Sequence, residues 1–336
     1  MRREFLDILR CPKCKKSFFS VRDVCENALE IDEANVLCNG CSTSYKIEDG
    51  IVDFLKDAPK VVIAEKQAMD DEAYIKDEAG NTHRVTDETI EKFKDIFLSL
   101  PEGDDSCFFR RGSNFHSIKD GSERFYKTLK DLGLAGREKV LEIGACFSWA
   151  SYRFAERGCK VVAIDISNYL RAARVYLDKA YFDRAFADMH NLPFTDNTFD
   201  VIFGSAVLHH TADLKGVFSE IYRVLKKNGR LVLINESARG IFEEIHPDFK
   251  ELKKRGFGDT SYSIPQWKKG AQRGGFKKIK IDFLSLADGY IFKHKHDRRS
   301  SSLKIKIAYF FKRHRMFECF LSSFFILPRL FLRPKS

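Results

Sequence analysis

The chain has 336 residues, 44% hydrophobic and 32% charged, the proportions of a soluble globular protein with room for two domains, or for one large domain and a small appendage. Its start, Met1-Arg2-Arg3-Glu4, runs into an amphipathic stretch rather than an apolar core, so no export signal is expected; the nine cysteines then argue for reduced thiols or metal and against a disulfide framework. The formal charge of +10 is uneven: residues 250–336 hold 22 Lys+Arg against 6 Asp+Glu, and residues 1–249 hold 36 against 42, so affinity for polyanions belongs to the last quarter.

Two C-x-x-C knuckles come first, Cys11-Pro12-Lys13-Cys14 and Cys38-Asn39-Gly40-Cys41, with 23 residues between the inner cysteines. Four thiolates at this spacing suit one tetrahedral Zn²⁺ and allow a β-hairpin between the knuckles, with Cys25 left over. Four protein ligands leave no open position, so the metal is expected to be structural, and a module of about 55 residues is expected to depend on it for folding energy. With the flanking Phe5–Arg10 and Tyr45–Leu55, residues 4–56 resemble the small zinc-ribbon proteins that partner and activate tRNA and protein methyltransferases. A ribbon ahead of a second domain is also similar, in architecture alone, to the bacterial large-subunit rRNA guanine-N1 methyltransferases.

Residues 57–124 are polar and charge-mixed, with helical spacing over Glu88–Phe97 and a break at Pro101-Glu102-Gly103. Phe108–His116 then packs aromatics and arginines together.

From Lys139 onward, short apolar runs alternate with helix-length stretches, the pattern of βαβ units on a parallel sheet covered on both faces. Val140-Leu141-Glu142-Ile143-Gly144 leads into Ala145-Cys146-Phe147-Ser148; Lys160–Ile164 ends in Asp165; Asp188 follows Phe186-Ala187; Phe199–Ser205 precedes His209-His210; Asn228-Gly229 precedes Arg230–Ile234. Acids and small residues thus fall at the carboxyl ends of strands, where such sheets bind ligands. A glycine after the first strand permits close backbone approach, and an acid after the second can accept both hydroxyls of a ribose.

This order resembles the class I S-adenosylmethionine-dependent methyltransferases of the methyltransferase-11 kind, over roughly residues 126–240. The resemblance implies an α/β, doubly wound Rossmann-like sheet. It implies that Glu142 and Gly144 face the methionine part of S-adenosylmethionine, that Ala145 and Cys146 also belong to the cofactor site, and that Asp165 faces the ribose and Ile166 the adenine. Asp188 and Met189 would read the adenine edge, and Ser205 would stand beside the methyl group. Where the family has further glycines this chain has Cys146 and Ser148, so a left-handed backbone there would be strained. A dinucleotide oxidoreductase would want G-x-G-x-x-G, which is missing.

Past the fifth strand, Ser263–Arg273 reads as a helix with an early proline, ended by Gly274-Gly275, and Lys277–Phe283 as a strand with Tyr290–Phe292 returning beside it. Met316–Leu327 is apolar between basic flanks, too short to span a bilayer. It is read either as a helix packed on the protein or as an interfacial helix on an anionic membrane. The expected divisions are 1–58 zinc ribbon, 59–125 linker and cofactor lid, 126–300 methyltransferase domain and 301–336 basic tail.

Methyl transfer needs alignment above all, and a base where the acceptor is a hydroxyl. His209 is the candidate base; packing is its other reading. The asparagine-proline-proline-aromatic signature of many nucleobase methyltransferases is absent, Gly204-Ser205-Ala206-Val207 standing there instead. The expectation is therefore a cytoplasmic enzyme acting on a small molecule, glycan precursor or lipid-linked acceptor, with peripheral membrane contact through the tail. An RNA methyltransferase gripping its substrate with ribbon and tail is the alternative, and a non-enzymatic regulator a third reading.

Overall fold

A computed structural model describes residues 1–103, 114–239 and 260–281. The knuckles flank an antiparallel hairpin of β1 (Phe19–Glu26) and β2 (Ile31–Cys38), extended by β3 (Ser44–Glu48) and β4 (Ile51–Asp53). Then come α1 (Lys60–Asp71), a small hairpin of β5 (Tyr74–Lys76) and β6 (Thr82–Arg84), and helices α2 (Asp87–Lys92), α3 (Lys94–Ser99) and α4 (Asn114–Leu132). The βαβ region supplies β7 (Lys139–Ile143), α5 (Trp149–Ala155), β8 (Lys160–Asp165), β9 (Asp183–Phe186), β10 (Phe199–Ser205), α6 (Leu214–Val224) and β11 (Leu225–Ile234). A short parallel pair, β12 (Ala238–Arg239) and β13 (Tyr262–Ser263), precedes α7 (Ile264–Arg273).

One nine-stranded sheet runs β1-β2-β3-β4-β9-β8-β7-β10-β11. The stretch from β4 to β11 is wholly parallel, and β1 to β4 are antiparallel. This is the expected Rossmann-like α/β sheet with an antiparallel extension. Apolar residues in every second position serve opposite faces. Val140, Val161, Ala163, Val201 and Phe203 join one buried cluster with α4 and α5, while Leu141, Val162, Ile164 and Ile202 join the other with α6.

The N-terminal segment differs from the expected module resting on its metal alone. Ile51, Val52 and Asp53 pair in parallel with Arg184, Ala185 and Phe186 of β9, and Met1, Phe5, Leu9, Tyr45 and Ile47 share a buried cluster with Leu141 and Ile143. The join also contains a charge cluster. Arg184, 1% exposed, donates to Glu30, which also receives the Met1 ammonium group and the Tyr181 hydroxyl. Burial opposes ionisation of Glu30, yet the two cations outweigh it and hold the carboxyl below its usual range.

Other expectations change in detail. The helical spacing at Glu88–Phe97 is divided between α2 and α3, the first opened by a Thr86 capping box. Asn228-Gly229 is a bulge inside β11, because pairing with β10 jumps from Leu225 to Arg230. The helix at Ser263 forms with its own capping box, Pro265 in the first turn and Gly274 at the end. Residues 277–281 form no strand. Residues 282–283 and 290–292, the tail, and residues 108–113 of the expected lid lie outside the described residues.

Candidate active site

In the parallel region the strand order reverses at β7, with β8 on one side and β10 on the other. Loops leaving the carboxyl ends of these strands therefore border the crevice where α/β sheets hold ligands. Glu142, near the end of β7, is buried and accepts the Ser151 N–H (2.7 Å) and hydroxyl (2.5 Å) at the start of α5. Burial pushes its carboxyl up to about 8, against the Ser151 hydrogen bonds, and nearby Asp165 adds to the rise. Asp165, the last residue of β8, accepts the Cys146 N–H at 2.8 Å on one oxygen and the Ser167 N–H and hydroxyl, both at 2.8 Å, on the other. That carboxylate therefore orients the β7–α5 loop before any ligand arrives.

The loop takes a left-handed backbone at Gly144 (φ 66°), Cys146 (φ 47°) and Ser148 (φ 58°). The two substituted glycine positions thus carry the strain that the sequence foreshadowed, of about 1–2 kcal/mol each. Ser148 is fully buried, and its hydroxyl has no partner among the described residues. Replacing Ser148 by Gly relieves both costs and adds only unfolded-state freedom, so chemical denaturation should show a gain of about 1 kcal/mol. Burial and the neighbouring Asp165 push the Cys146 thiol well above its ordinary range. Ala145, within the loop, is buried, and Ile166 and Met189 are partly buried beside the strand ends.

Past β9, Asp188 is 8% exposed. One oxygen accepts the His190 N–H (2.9 Å) and lies 2.7 Å from His190 Nδ1, while the other, Oδ2, is buried with no partner among the described residues. His190 Nε2 is 2.7 Å from the Thr211 hydroxyl. Burial depresses the imidazole, but the Asp188 hydrogen bond and charge outweigh it, with Asp213 and Glu65 adding, so its pKa is raised.

Ser205, ending β10, accepts from Asn235 Nδ2 (3.0 Å), and Asn235 accepts from Arg124 of α4 (2.5 Å). His209 lies in a 3₁₀ turn, Leu208–His210. Glu236, just past β11, accepts the N–H groups of Val207, Leu208 and His209 at 3.0, 2.9 and 3.1 Å and lies 3.0 Å from His209 Nδ1. His210 Nδ1 is 3.4 Å from Glu65 of α1. The same helix accepts the Asn168 N–H, just past β8, on Asp70 at 2.7 Å. Helix α1 thus lies along the carboxyl ends of β8 and β10, within the stretch read only as linker and lid. Glu236, His190 and Glu65 were not singled out in the sequence. Glu236 carried a usable signal, an acid just past the last apolar run, like Asp165 and Asp188.

At the N-terminal knuckles, Cys11, Cys14, Cys38 and Cys41 bring their four sulfurs within 4.8 Å of one another, with Cys11–Cys41 at 3.7 Å and Cys14–Cys38 at 3.5 Å. Hydrogen bonding at Thr43 pulls the Cys41 thiol down, to about 6. Cys25 is exposed and outside the cluster.

Residues 141–233 match the family model described as "Methyltransferase domain". This stretch of the chain is therefore similar to methyltransferase domains. Its similar relatives include the sterol 24-C-methyltransferase ERG6 of Saccharomyces cerevisiae, 26% identical over 43% of this chain and 39% of that protein. Another is the demethylmenaquinone methyltransferase of Corynebacterium urealyticum, 34% identical over 34% of this chain and 49% of that one. The chain thus spans about half or less of these curated relatives. Among solved structures, a Haemonchus contortus phosphoethanolamine N-methyltransferase 2 is 22% identical, covers 72% of this chain and 54% of that one, and aligns with a TM-score of 0.47. Glu142 to Ser205, with every candidate cofactor-binding residue, fall inside the span matched as a methyltransferase domain.

Proposed function

We propose that this chain is an S-adenosylmethionine-dependent methyltransferase acting on a small, lipid-like acceptor, with a structural zinc ion in its N-terminal segment. The observation that carries the cofactor reading is the bare Asp188 Oδ2, a buried acceptor one strand away from Asp165. A buried carboxylate oxygen without a donor is costly, and the amino group of an adenine is the donor that fits it. Gly144 supports the same reading, since its missing side chain and left-handed backbone keep the loop close to Val207.

In this reading Glu142, Gly144, Ala145 and Cys146 hold the methionine part, Asp165 and Ile166 the ribose and adenine face, Asp188 and Met189 the adenine edge, and Ser205 the acceptor side. The cofactor supplies a methyl group already activated on a sulfonium. The protein's work is then to align the acceptor and to exclude water. His209 would take the proton from an acceptor hydroxyl, its ring oriented through Nδ1 by Glu236. The sterol and quinone substrates in the relatives' names favour an apolar acceptor over RNA. The basic stretch behind the RNA alternative lies mostly outside the described residues, as does the tail proposed to touch membranes. Among the described residues, no helix is long and apolar enough to cross a membrane.

Calorimetry tests the cofactor. The wild type should bind S-adenosylmethionine, and Asp165→Ala should weaken binding about 10- to 100-fold, the worth of hydrogen bonds to a charged group. No binding by the wild type would overturn the proposal.

For the metal, tetrahedral Zn–S bonds of about 2.3 Å place sulfurs about 3.8 Å apart, close to the two separations at the knuckles. Metal analysis should return about one zinc per chain, and a Cys14→Ser/Cys41→Ser variant should lose it. Because the segment also packs on the methyltransferase core, chelation should loosen the knuckles and leave the sheet folded. A metal-free wild type purified without chelators would refute the zinc assignment.

A further inference from the structure

We propose that His190 is a positioning residue: it locks the Asp188 carboxylate so that Oδ2 stays free for the cofactor, and so sets the preference for a 6-amino purine. This rests on the cofactor reading above. The two oxygens of Asp188 are unequal. Oδ1 takes both the backbone N–H and the ring Nδ1 of His190, at 2.9 and 2.7 Å, and Oδ2 takes nothing among the described residues. Turning the carboxylate about its Cβ–Cγ bond would forfeit the Nδ1 contact, so the ring acts as a latch.

The latch is itself anchored. His190 Nε2 lies 2.7 Å from the hydroxyl of Thr211, which is fully buried. That hydroxyl oxygen accepts the Asp213 N–H at 2.8 Å, and the Thr211 carbonyl accepts the Tyr262 hydroxyl at 2.6 Å. The arrangement survives titration of the ring. In the neutral form Nδ1–H donates to Asp188 and the Thr211 hydroxyl donates to Nε2; in the cation Nε2–H donates to that hydroxyl instead. The charged groups around the ring, Asp188, Asp213 and Glu65, are all acids, and in either state Nδ1–H stays on Oδ1. Neither ring nitrogen is left to act as a base on substrate, which makes the role one of orientation.

The test uses the full chain as wild type, His190→Asn, His190→Gln and His190→Ala. Each is titrated calorimetrically with S-adenosylhomocysteine and with its analogue bearing hydrogen in place of the 6-amino group. Asparagine sets an amide N–H near the position of Nδ1, whereas glutamine reaches toward Thr211 and leaves Asp188 without its side-chain donor. The wild type should prefer the amino ligand about 10- to 100-fold. Asn should keep that preference within a few-fold. Ala and Gln should compress it below about threefold, with affinity for the hydrogen analogue little changed. An undiminished preference in all four proteins would overturn the latch. So would a parallel loss of both ligands in every variant, which is the mark of a merely structural residue. A wild type that binds neither ligand would instead overturn the cofactor reading itself.

Discussion

Replacing Glu30 by Met should destabilise the protein by about 3–5 kcal/mol, the cost of breaking a buried ion pair so that charge is left uncompensated. Arg184, on β9, is the largest fully buried side chain among the described residues, and its partner Glu30 belongs to the turn between β1 and β2. In Arg184→Met, Glu30 keeps the Met1 ammonium group and the Tyr181 hydroxyl, so a neutralised pair survives. In Glu30→Met two cations lose their common partner, and that variant should be the less stable of the two. A neighbouring glycine has the same sensitivity: a Cβ on Gly50 would stand 2.4 Å from both the Arg184 guanidinium and the Glu30 carboxylate. Denaturant titration ranks the variants. Hydrogen exchange at Ile51–Asp53 shows whether the loss is felt at the β4–β9 seam. The pH dependence has a definite sign. Glu30 is held below its ordinary value in the folded state, so its contribution is present above the unfolded carboxyl range and fades as pH falls through the lowered value.

Gly144→Ala should cost about 2–5 kcal/mol, combining backbone strain with overpacking, and should cut the proposed methyl transfer about 100-fold by displacing the loop proposed to hold the cofactor. The new Cβ would lie 2.3 Å from Val207 Cγ2 and 2.8 Å from Val207 Cβ, at a φ of 66°. Val207 cannot retreat, because its N–H and that of Leu208 are both held by Glu236. Gly133 supplies the control. Its φ is 55° and a Cβ there meets nothing within 4 Å, so Gly133→Ala should show the strain alone, about 1–2 kcal/mol. The difference between the two variants isolates the clash. Val207→Ala placed in the Gly144→Ala background should recover part of the loss; no recovery would assign the effect to the backbone alone.

The parallel core was readable because its information is local. Val140, Val162 and Ile202 announce strands through runs of apolar residues, and Glu142, Asp165 and Asp188 follow as acids at or just past strand ends. Even the strain at Cys146 and Ser148 was foreseeable, since it follows from the absence of glycine at a turn that wants one. The join between β4 and β9 was not readable. It pairs Val52 with Ala185, 133 positions further along, and a three-residue strand has too short a pattern to declare a partner. Helix α1 escaped for a related reason. Its charged residues look like linker in isolation, and Glu65 and Asp70 gain meaning only where His210 and the Asn168 N–H meet them. His190 was passed over because a histidine two residues past an acid has no motif; its role comes from Thr211, which reaches it through the fold.

The β4–β9 pairing has a further consequence for how the molecule avoids its own kind. A parallel sheet that ended at β9 would present open N–H and C=O groups beside apolar Ala185 and Phe186, a template for strands of other chains. The N-terminal strands occupy that border and move the free rim out to β1. There the register slips between Arg22 and Glu26, and Arg22, Asp23 and Glu26 face water. Irregular, charged rims recruit neighbours poorly. Cutting the chain between Asp57 and Lys60 would uncover the β9 edge, and the remaining core should self-associate in size-exclusion chromatography where the full chain does not.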